Sequence, residues 1–277
     1  MLLLAALACS TRLQLARPVE LRFERAHDGV FVEARVKGER LWFVVDSGAS
    51  HTLLDAAVAR SLGIHAAESS TIGGAGTGRV PVQIAKDQSL RFGGLTLDGV
   101  DLHLLDLAPL AAAWDRRVDG IVGYDLLCHA AVTIDYAAKT LTIGAKPRGQ
   151  PLPLTFKGGW SFVEGTIKVP GNAPVTDRFL VDTGSQDAVD HPIIQKSTGP
   201  LRRTQSGNGG IGAPTPGVIG PTEWFRIGGF TIGSTTSSCC GNPETSRLVG
   251  AAVLSRFRVT FDYPHARLYL AATKPGS

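Results

Sequence analysis

An internal repeat is the feature that most constrains the fold of this 277-residue chain. The segment from Phe31 that ends in Val-Asp-Ser-Gly is echoed by one from Phe162 that ends in Val-Asp-Thr-Gly. The two aspartates, Asp46 and Asp182, are therefore 182 − 46 = 136 residues apart. Three more echoes follow in the same order: a Gly-Gly turn between apolar runs, an apolar-apolar-glycine triplet and a closing pair of strands. Because the echoes keep one order, the sequence predicts two copies of one folding unit.

The pattern inside each copy is typical of β-structure. Residues 35–45 and 131–143 alternate or run apolar between turn residues, whereas helical patterns are short, as at 53–62. We expect an all-β protein of two related β-barrel-like lobes with a few short helices. The expected segments are residues 1–17 as an export signal and tether, 18–145 as the first lobe, 146–151 as a linker and 152–273 as the second lobe.

The charge of the chain gives no sign of nucleic-acid binding. Lysine and arginine number 28 against 24 acidic residues, and the basic residues are scattered without a run of five or six. Such a composition favours a mildly basic, solvated surface, so we expect no nucleic-acid partner.

The N-terminus, MLLLAALACS, carries an apolar segment at residues 1–8 that is too short to span a bilayer. It resembles the apolar region of a bacterial lipoprotein export signal, in which small residues precede a cysteine. We expect lipidation at Cys9, a lipid anchor to the membrane and a periplasmic or cell-envelope location. The alternative is a frayed apolar terminus with an incidental cysteine.

The remaining cysteines and the seven histidines do not have the spacing of a metal site, so we expect neither a metal nor a cofactor. A disulfide from Cys128 to Cys239 or Cys240 is compatible with an oxidising compartment, whereas neighbouring cysteines rarely bond each other. The sequence leaves the pairing open.

Two glycine-rich stretches, residues 71–78 and 207–212, follow the aspartates at similar distances. The second matches GxGxxG, but Pro214 and Pro216 prevent the helix that would hold a dinucleotide pyrophosphate. The chain also lacks the GxSxG elbow of serine hydrolases. From the residues alone, the plain interpretation of both stretches is a flexible surface loop.

The two aspartates favour acid–base chemistry. Each follows an apolar strand, and the glycine two residues later lets the backbone turn sharply. The hydroxyl group of Ser47 or Thr183 can hydrogen-bond the backbone of the other lobe. Two buried carboxyl groups held face to face cannot both ionise cheaply, so they share a proton and can activate a water molecule.

These motifs resemble those of the aspartic proteases of the pepsin and retropepsin clan, over nearly all of both repeats. The resemblance rests on Asp46-Ser47-Gly48 with residues 121–123, and on Asp182-Thr183-Gly184 with residues 248–250. It implies a bilobal acid-protease fold with the active site in the cleft between the lobes. It also implies an aspartic endopeptidase, a peptide or protein substrate, and Asp46 and Asp182 as catalytic residues.

The same resemblance assigns supporting roles. The residues expected to support the two aspartates are Ser47, Gly48, Ala49, Thr183, Gly184 and Ser185. The residues expected to form a flap over the substrate are Gly73, Gly74, Ala75 and Gly76. The Asp-Ser-Gly-Ala sequence and a flap without tyrosine are retropepsin-like features.

Ser185 stands where the first repeat has Ala49, and a hydroxyl group there can bond the ionised carboxylate and lower its pKa. We predict a pH optimum milder than that of gastric-type enzymes. An alternative function is a proteolytically silent relative that binds peptides or acts as an inhibitor. The repeat makes a monomer sufficient, with a domain-swapped dimer as the alternative.

Overall fold

The computed structural model describes residues 9–206, 210–240 and 246–273. Strands dominate these residues and the helices are short, so the predicted all-β class is confirmed. In the described residues, no helix is long and apolar enough to cross a membrane.

The strands of the first half have the following bounds: β1 (Arg12–Gln14), β2 (Val19–Arg22), β3 (Glu24–Ala26), β4 (Gly29–Val36), β5 (Glu39–Val45), β6 (Leu53–Asp55), β7 (Glu68–Ile72), β8 (Val80–Phe92), β9 (Leu95–Leu105), β10 (Gly120–Val122), β11 (Val132–Asp135) and β12 (Thr140–Ile143). Those of the second half are β13 (Gln150–Pro153), β14 (Thr155–Lys157), β15 (Trp160–Lys168), β16 (Val175–Asp182), β17 (Val189–Asp190), β18 (Arg202–Ser206), β19 (Thr215–Thr222), β20 (Trp224–Ile227), β21 (Phe230–Ile232), β22 (Thr235–Cys239), β23 (Leu248–Gly250), β24 (Phe257–Asp262) and β25 (Arg267–Ala272). The helices are α1 (Ala56–Ser61), α2 (Ala108–Ala113), α3 (Tyr124–Leu127) and α4 (Ala251–Leu254), with 3₁₀ turns at Pro192–Lys196 and Tyr263–His265.

Each half builds one sheet around a buried central strand. Among the described residues, the first half forms a nine-stranded sheet in the order β1-β9-β6-β10-β5-β4-β8-β7, with β3 on β4. The second half forms a ten-stranded sheet in the order β18-β19-β22-β17-β23-β16-β15-β20-β21, with β14 on β15. The central strands β5 and β16 carry fully apolar, buried triplets at residues 43–45 and 179–181, which fits strands covered on both faces.

A third sheet joins the two halves. As far as the described residues show, its order is β13-β25-β24-β11-β12-β2, so each half contributes three strands. At its centre β11 pairs antiparallel with β24, and Thr133 lies opposite Thr260 with their hydroxyl oxygens 2.8 Å apart. The closing strands found in both copies of the repeat are therefore the strands that connect the halves.

The N-terminal segment packs on the first half. Residues 1–8 of the expected export signal lie outside the described residues, but Arg12–Gln14, expected in the tether, forms β1 and pairs with β9. This pairing carries Cys9 to the end of α3, where it is bonded to Cys128. A sulfur in a disulfide is not free to form the thioether of a lipid anchor, so this disulfide and lipidation are mutually exclusive states of Cys9.

The observed disulfides differ from the pairing considered from the sequence. Cys239 is bonded to its neighbour Cys240, so Cys128 bonds neither of them. The sequence could not show that β1 brings a fourth cysteine beside Cys128, because the two cysteines are 119 residues apart and their proximity depends on β1 pairing with β9.

Candidate active site

Parallel strand pairing places each aspartate at the end of a buried strand. Val122 of β10 lies beside Val45 of β5, and Val249 of β23 lies beside Val181 of β16. Each of these four valines is at most 1 % exposed. The apolar-apolar-glycine triplets of the repeat are thus the strands against which the aspartate-bearing strands are fixed. The sequence folds this way because each triplet begins with two apolar residues that pack beside the buried strand and ends in a glycine that admits the turn.

The glycine of each triplet has no room for a side chain. A Cβ atom on Gly123 would lie 2.3 Å from the carbonyl oxygen of Ala49, and one on Gly250 would lie 2.3 Å from that of Asp187. Both distances are far below van der Waals contact, so only glycine lets the loop after each aspartate approach this closely.

Two hydroxyl groups lock the aspartate loops together. Ser47 Oγ donates to the carbonyl oxygen of Val181 at 2.7 Å and accepts from the Thr183 N–H at 3.0 Å. Thr183 Oγ1 donates to the carbonyl oxygen of Val45 at 2.8 Å and accepts from the Ser47 N–H at 3.0 Å. Both side chains are at least 99 % buried. Such hydrogen bonds from the two hydroxyl groups to the backbone of the other half are expected from the sequence.

The carboxyl groups of Asp46 and Asp182 face each other across this lock. Each packs on the glycine of the other loop: a Cβ on Gly48 would lie 2.6 Å from Asp182 Cγ, and one on Gly184 would lie 2.3 Å from Asp46 Cγ. The two glycines are therefore required for the close approach of the two carboxyl groups.

Burial raises the pKa of both carboxyl groups. For Asp46, burial opposes the hydrogen bonds from backbone N–H groups, and the pKa is raised. For Asp182, burial and the negative charge of Asp46 act together, and the pKa is raised well above its usual value. The pair can therefore hold one shared proton.

Backbone N–H groups, rather than side-chain hydroxyl groups, support the carboxylates. Gly48 N–H donates to Asp46 Oδ1 at 2.8 Å, and the N–H groups of Gly184 and Ser185 donate to Asp182 Oδ1 at 2.9 and 3.0 Å. The Ser185 hydroxyl instead accepts from the Asp187 N–H at 3.2 Å. The expectation that this hydroxyl bonds the carboxylate is therefore wrong, because it stabilises the following turn.

The two glycine-rich stretches meet above the aspartates. The first joins β7 to β8 and the second joins β18 to β19, with residues 207–209 outside the described part of the chain. Gly76 N–H donates to the Ile211 carbonyl at 2.8 Å, and Thr77 and Ala213 exchange two backbone hydrogen bonds of 2.9 Å. Both stretches are hairpin tips, and together they form a roof over the cleft.

The cavity between this roof and the aspartates has a volume of about 430 Å³. Asp46, Asp182, Gly73, Gly74 and Ala75 all line it, so the structure brings the predicted aspartates and most of the predicted flap to one cavity. Gly76 lies in the contact with the second hairpin tip instead. Cys9 is not among the residues that line the cavity.

Sequence reasoning missed a buried tyrosine beneath the carboxyl groups. Tyr263 Oη donates to Ser161 Oγ at 2.9 Å and lies 3.5 Å from the carbonyl oxygen of Ser47. Burial raises the pKa of this phenol, which therefore stays neutral. The repeated Asp-Tyr in the closing strands was the available signal, but the same position of the first half, Tyr136, is buried elsewhere and has no such contact.

Three titratable residues near the dyad were also not assigned a role. His51 lines the cavity and stacks on His103, with ring centroids 4.3 Å apart. Asp187 and Asp190 line the cavity on the side of the second half. The signal for the two acids was their position five and eight residues after Asp182, on either side of the apolar pair Ala188-Val189.

Residues 32–126 match the aspartyl protease family. The matched segment contains Asp46 with its loop, the first hairpin tip and the triplet at 121–123, and this match supports an aspartic protease family and a hydrolase of the aspartic peptidase type. It ends before Asp182, so the role of the second half is argued from the repeat and the geometry. A comparison with curated proteins found no match.

Proposed function

We propose that this protein is an aspartic endopeptidase in which Asp46 and Asp182, one from each half, activate a water molecule. The observation that carries the proposal is the contact between the two carboxyl groups, which are held by reciprocal hydrogen bonds of Ser47 and Thr183 and enclosed by a two-hairpin roof. Such a contact raises the pKa of one acid and leaves a base beside it, which is what hydrolysis by general acid–base catalysis requires.

The proposed reaction balances without a cofactor. The water oxygen attacks the peptide carbonyl carbon and gives one proton to ionised Asp46. Asp182 gives its proton to the carbonyl oxygen, so a neutral gem-diol forms. The C–N bond then breaks as Asp46 passes its proton to the leaving nitrogen, and one hydroxyl group of the diol returns a proton to Asp182. The products are a carboxylic acid and an amine, and the shared proton is restored.

The roof supports a peptide as the substrate. Backbone groups of both hairpin tips lie directly above the carboxyl groups, where an extended chain could exchange hydrogen bonds with them. Closure over the substrate would exclude bulk water and strengthen the electrostatic interactions in the site.

The test is a casein digest that compares the wild type with Asp46→Asn and Asp182→Asn. We expect each substitution to lower cleavage by roughly 10²–10⁴-fold, the usual contribution of a general acid or base. Glu164→Gln is the matched control, because it removes an exposed carboxylate of β15 outside the cavity. Cleavage that survives either aspartate substitution would contradict the dyad mechanism. Peptide binding without cleavage by the wild type would favour the proteolytically silent alternative.

We further propose that the protein works as a monomer in an oxidising, extracytoplasmic compartment. Both carboxyl groups come from one chain, so a second copy is not needed to complete the dyad. The Cys9–Cys128 disulfide supports the compartment, because such bonds persist mainly outside the reducing cytoplasm. The molecular mass in solution tests the monomeric state. Fractionation of the producing cells, with the protein detected by antibody, tests the compartment.

A further inference from the structure

Strand register identifies equivalent places in the two halves of the cleft. Ile121 of β10 lies opposite Leu53 of β6, and Leu248 of β23 lies opposite Asp190 of β17. Ile121 and Leu248 are the first apolar residues of the equivalent triplets, and all four residues line the cavity. Leu53 and Asp190 therefore occupy the same place, and a leucine in one half corresponds to a carboxylate in the other.

Asp190 lacks the partners that a buried carboxylate needs. It is only 5 % exposed, and its Oδ2 accepts from Ser238 Oγ at 3.4 Å. Its Oδ1 has no hydrogen-bond partner, and within residues 9–206, 210–240 and 246–273 no cationic side chain forms an ion pair with Asp190. Burial and the charge of Asp187 raise the pKa of Asp190 to about 7. A cationic donor beside Oδ1 would relieve this cost.

A second carboxylate lies on the same side of the cleft. Asp187 also lines the cavity, where it is exposed, three residues before Asp190. The two carboxyl groups are close enough for the charge of Asp187 to act on Asp190, and neither forms an ion pair with a base among the described residues.

The corresponding side of the first half is apolar. Leu53, Ile72, Trp114 and Ile121 form part of one buried cluster and also line the cavity. His51, the titratable group on that side, has its pKa lowered by burial and is neutral at neutral pH. The cleft therefore has an apolar end and an acidic end on opposite sides of the dyad.

We propose that Asp187 and Asp190 form a subsite that binds a basic side chain, lysine or arginine, of the peptide substrate. This inference rests on the proposed function and specifies its substrate class. An ammonium or guanidinium group supplies the donors that Asp190 Oδ1 lacks and the positive charge that both acids lack. A bound metal ion fits less well, because the described residues bring no third His, Cys, Asp or Glu ligand to this pair. The favoured substrate carries a basic residue on one side of the dyad and an apolar residue on the other.

The test uses decapeptides of otherwise apolar sequence in which one lysine is moved along the chain, and the same set with norleucine. We expect the wild type to cleave with lysine at one fixed position, with kcat/KM roughly tenfold or more above the norleucine peptide, as a charge-assisted hydrogen bond provides. Asp190→Leu, which copies Leu53, should reverse this ranking. Asp187→Asn, a second variant whose residue is exposed, should weaken it. Glu164→Gln should keep it.

The same peptides separate this inference from the proposed function. Cleavage that depends on Asp46 but shows no preference for lysine overturns the subsite alone. If no peptide is cleaved, the subsite is tested by the binding of fluorescently labelled peptides to the wild type and to Asp190→Leu. Tighter binding of the lysine peptides to the wild type, abolished in Asp190→Leu, supports the subsite although the hydrolytic function fails. Equal binding of lysine and norleucine peptides overturns the subsite.

Discussion

Ser47 and Thr183 each donate a hydrogen bond to the backbone of the opposite half, at 2.7 Å to Val181 and at 2.8 Å to Val45. Because each hydroxyl also accepts the N–H of the other residue, four hydrogen bonds hold the two loops in one arrangement. Any small movement between the halves must strain these four buried hydrogen bonds. The position of the two carboxyl groups is therefore coupled to the stability of the whole chain.

Replacing Thr183 by valine keeps its shape but removes the hydroxyl. We expect the free energy of unfolding to fall by roughly 1–3 kcal/mol, because the Ser47 N–H and the Val45 carbonyl lose a buried partner. Urea unfolding followed by tryptophan fluorescence measures this. Thr176→Val is the control: it removes an exposed hydroxyl and should change stability by less than about 0.5 kcal/mol. Equal effects of the two substitutions would contradict the role of the hydrogen-bond lock.

The repeat and the two aspartates could be predicted from the sequence because their signals are local. Asp-Ser/Thr-Gly and the apolar-apolar-glycine triplets are short patterns whose residue types are dictated by close packing. The Cys9–Cys128 pair could not be predicted, because it depends on β1 pairing with β9. The Ser185 hydroxyl had two possible partners, and only the turn geometry selects the Asp187 N–H.

The acidic side of the cleft was hidden by a difference in length between the repeats. Leu53 follows Asp46 by seven residues, whereas Asp190 follows Asp182 by eight. A direct alignment of the two segments therefore places Asp190 against Leu54, a core residue. Strand register corrects this by one residue and places it against Leu53.

The pH dependence of cleavage should follow the shared proton. Activity should fall on the acid side as ionised Asp46 is protonated and on the alkaline side as Asp182 loses its proton. Because burial raises the pKa of both groups, we expect an optimum milder than that of gastric-type enzymes. A kcat/KM profile with a casein-derived peptide measures this, and a peak below about pH 3 would contradict it, since the lower acid of a gastric-type dyad titrates near 1.5.

Asp190 should make stability depend on pH. Its pKa is raised to about 7 in the folded chain, so its contribution is most favourable below its unfolded pKa and is lost as the pH rises through about 7. Asp190→Leu removes this loss, and we expect it to stabilise the protein at pH 8 by a few kcal/mol more than at pH 4, at about 1.4 kcal/mol per pKa unit. Chemical unfolding at both pH values measures the difference. If Asp190→Leu changes the free energy of unfolding by the same amount at pH 4 and at pH 8, Asp190 keeps an ordinary pKa.

The roof can be tested at two glycines. A side chain on Gly76 would come within 2.6 Å of the Ala213 carbonyl oxygen, whereas one on Gly73 would find its nearest neighbour at 3.8 Å. Gly76→Val should separate the hairpin tips and lower kcat/KM by roughly 5–100-fold, the equivalent of the 1–3 kcal/mol cost of overpacking. Gly73→Ala is the control and should have a much smaller effect. Similar losses of kcat/KM in Gly76→Val and Gly73→Ala would indicate that activity does not depend on the contact between the tips.

The disulfide and the lipid anchor at Cys9 predict different masses. The intact protein purified from its producing cells should be two hydrogen masses lighter per disulfide if Cys9 is bonded to Cys128. Cys128→Ser should then lower the free energy of unfolding by roughly 2–4 kcal/mol, because the bond closes a long loop. A mass increased by an acylated glycerol group on Cys9 would show the lipidated state instead.

We expect the hydrogen bonds between Gly76, Thr77, Ile211 and Ala213 to control how fast the proposed peptide substrate is captured. A polypeptide longer than the cavity cannot thread beneath a closed roof, so the tips must part before each binding event. The observed binding rate should therefore reach a plateau at high peptide concentration, set by the opening rate. A compact folded protein without an extended segment would not enter, whatever its sequence.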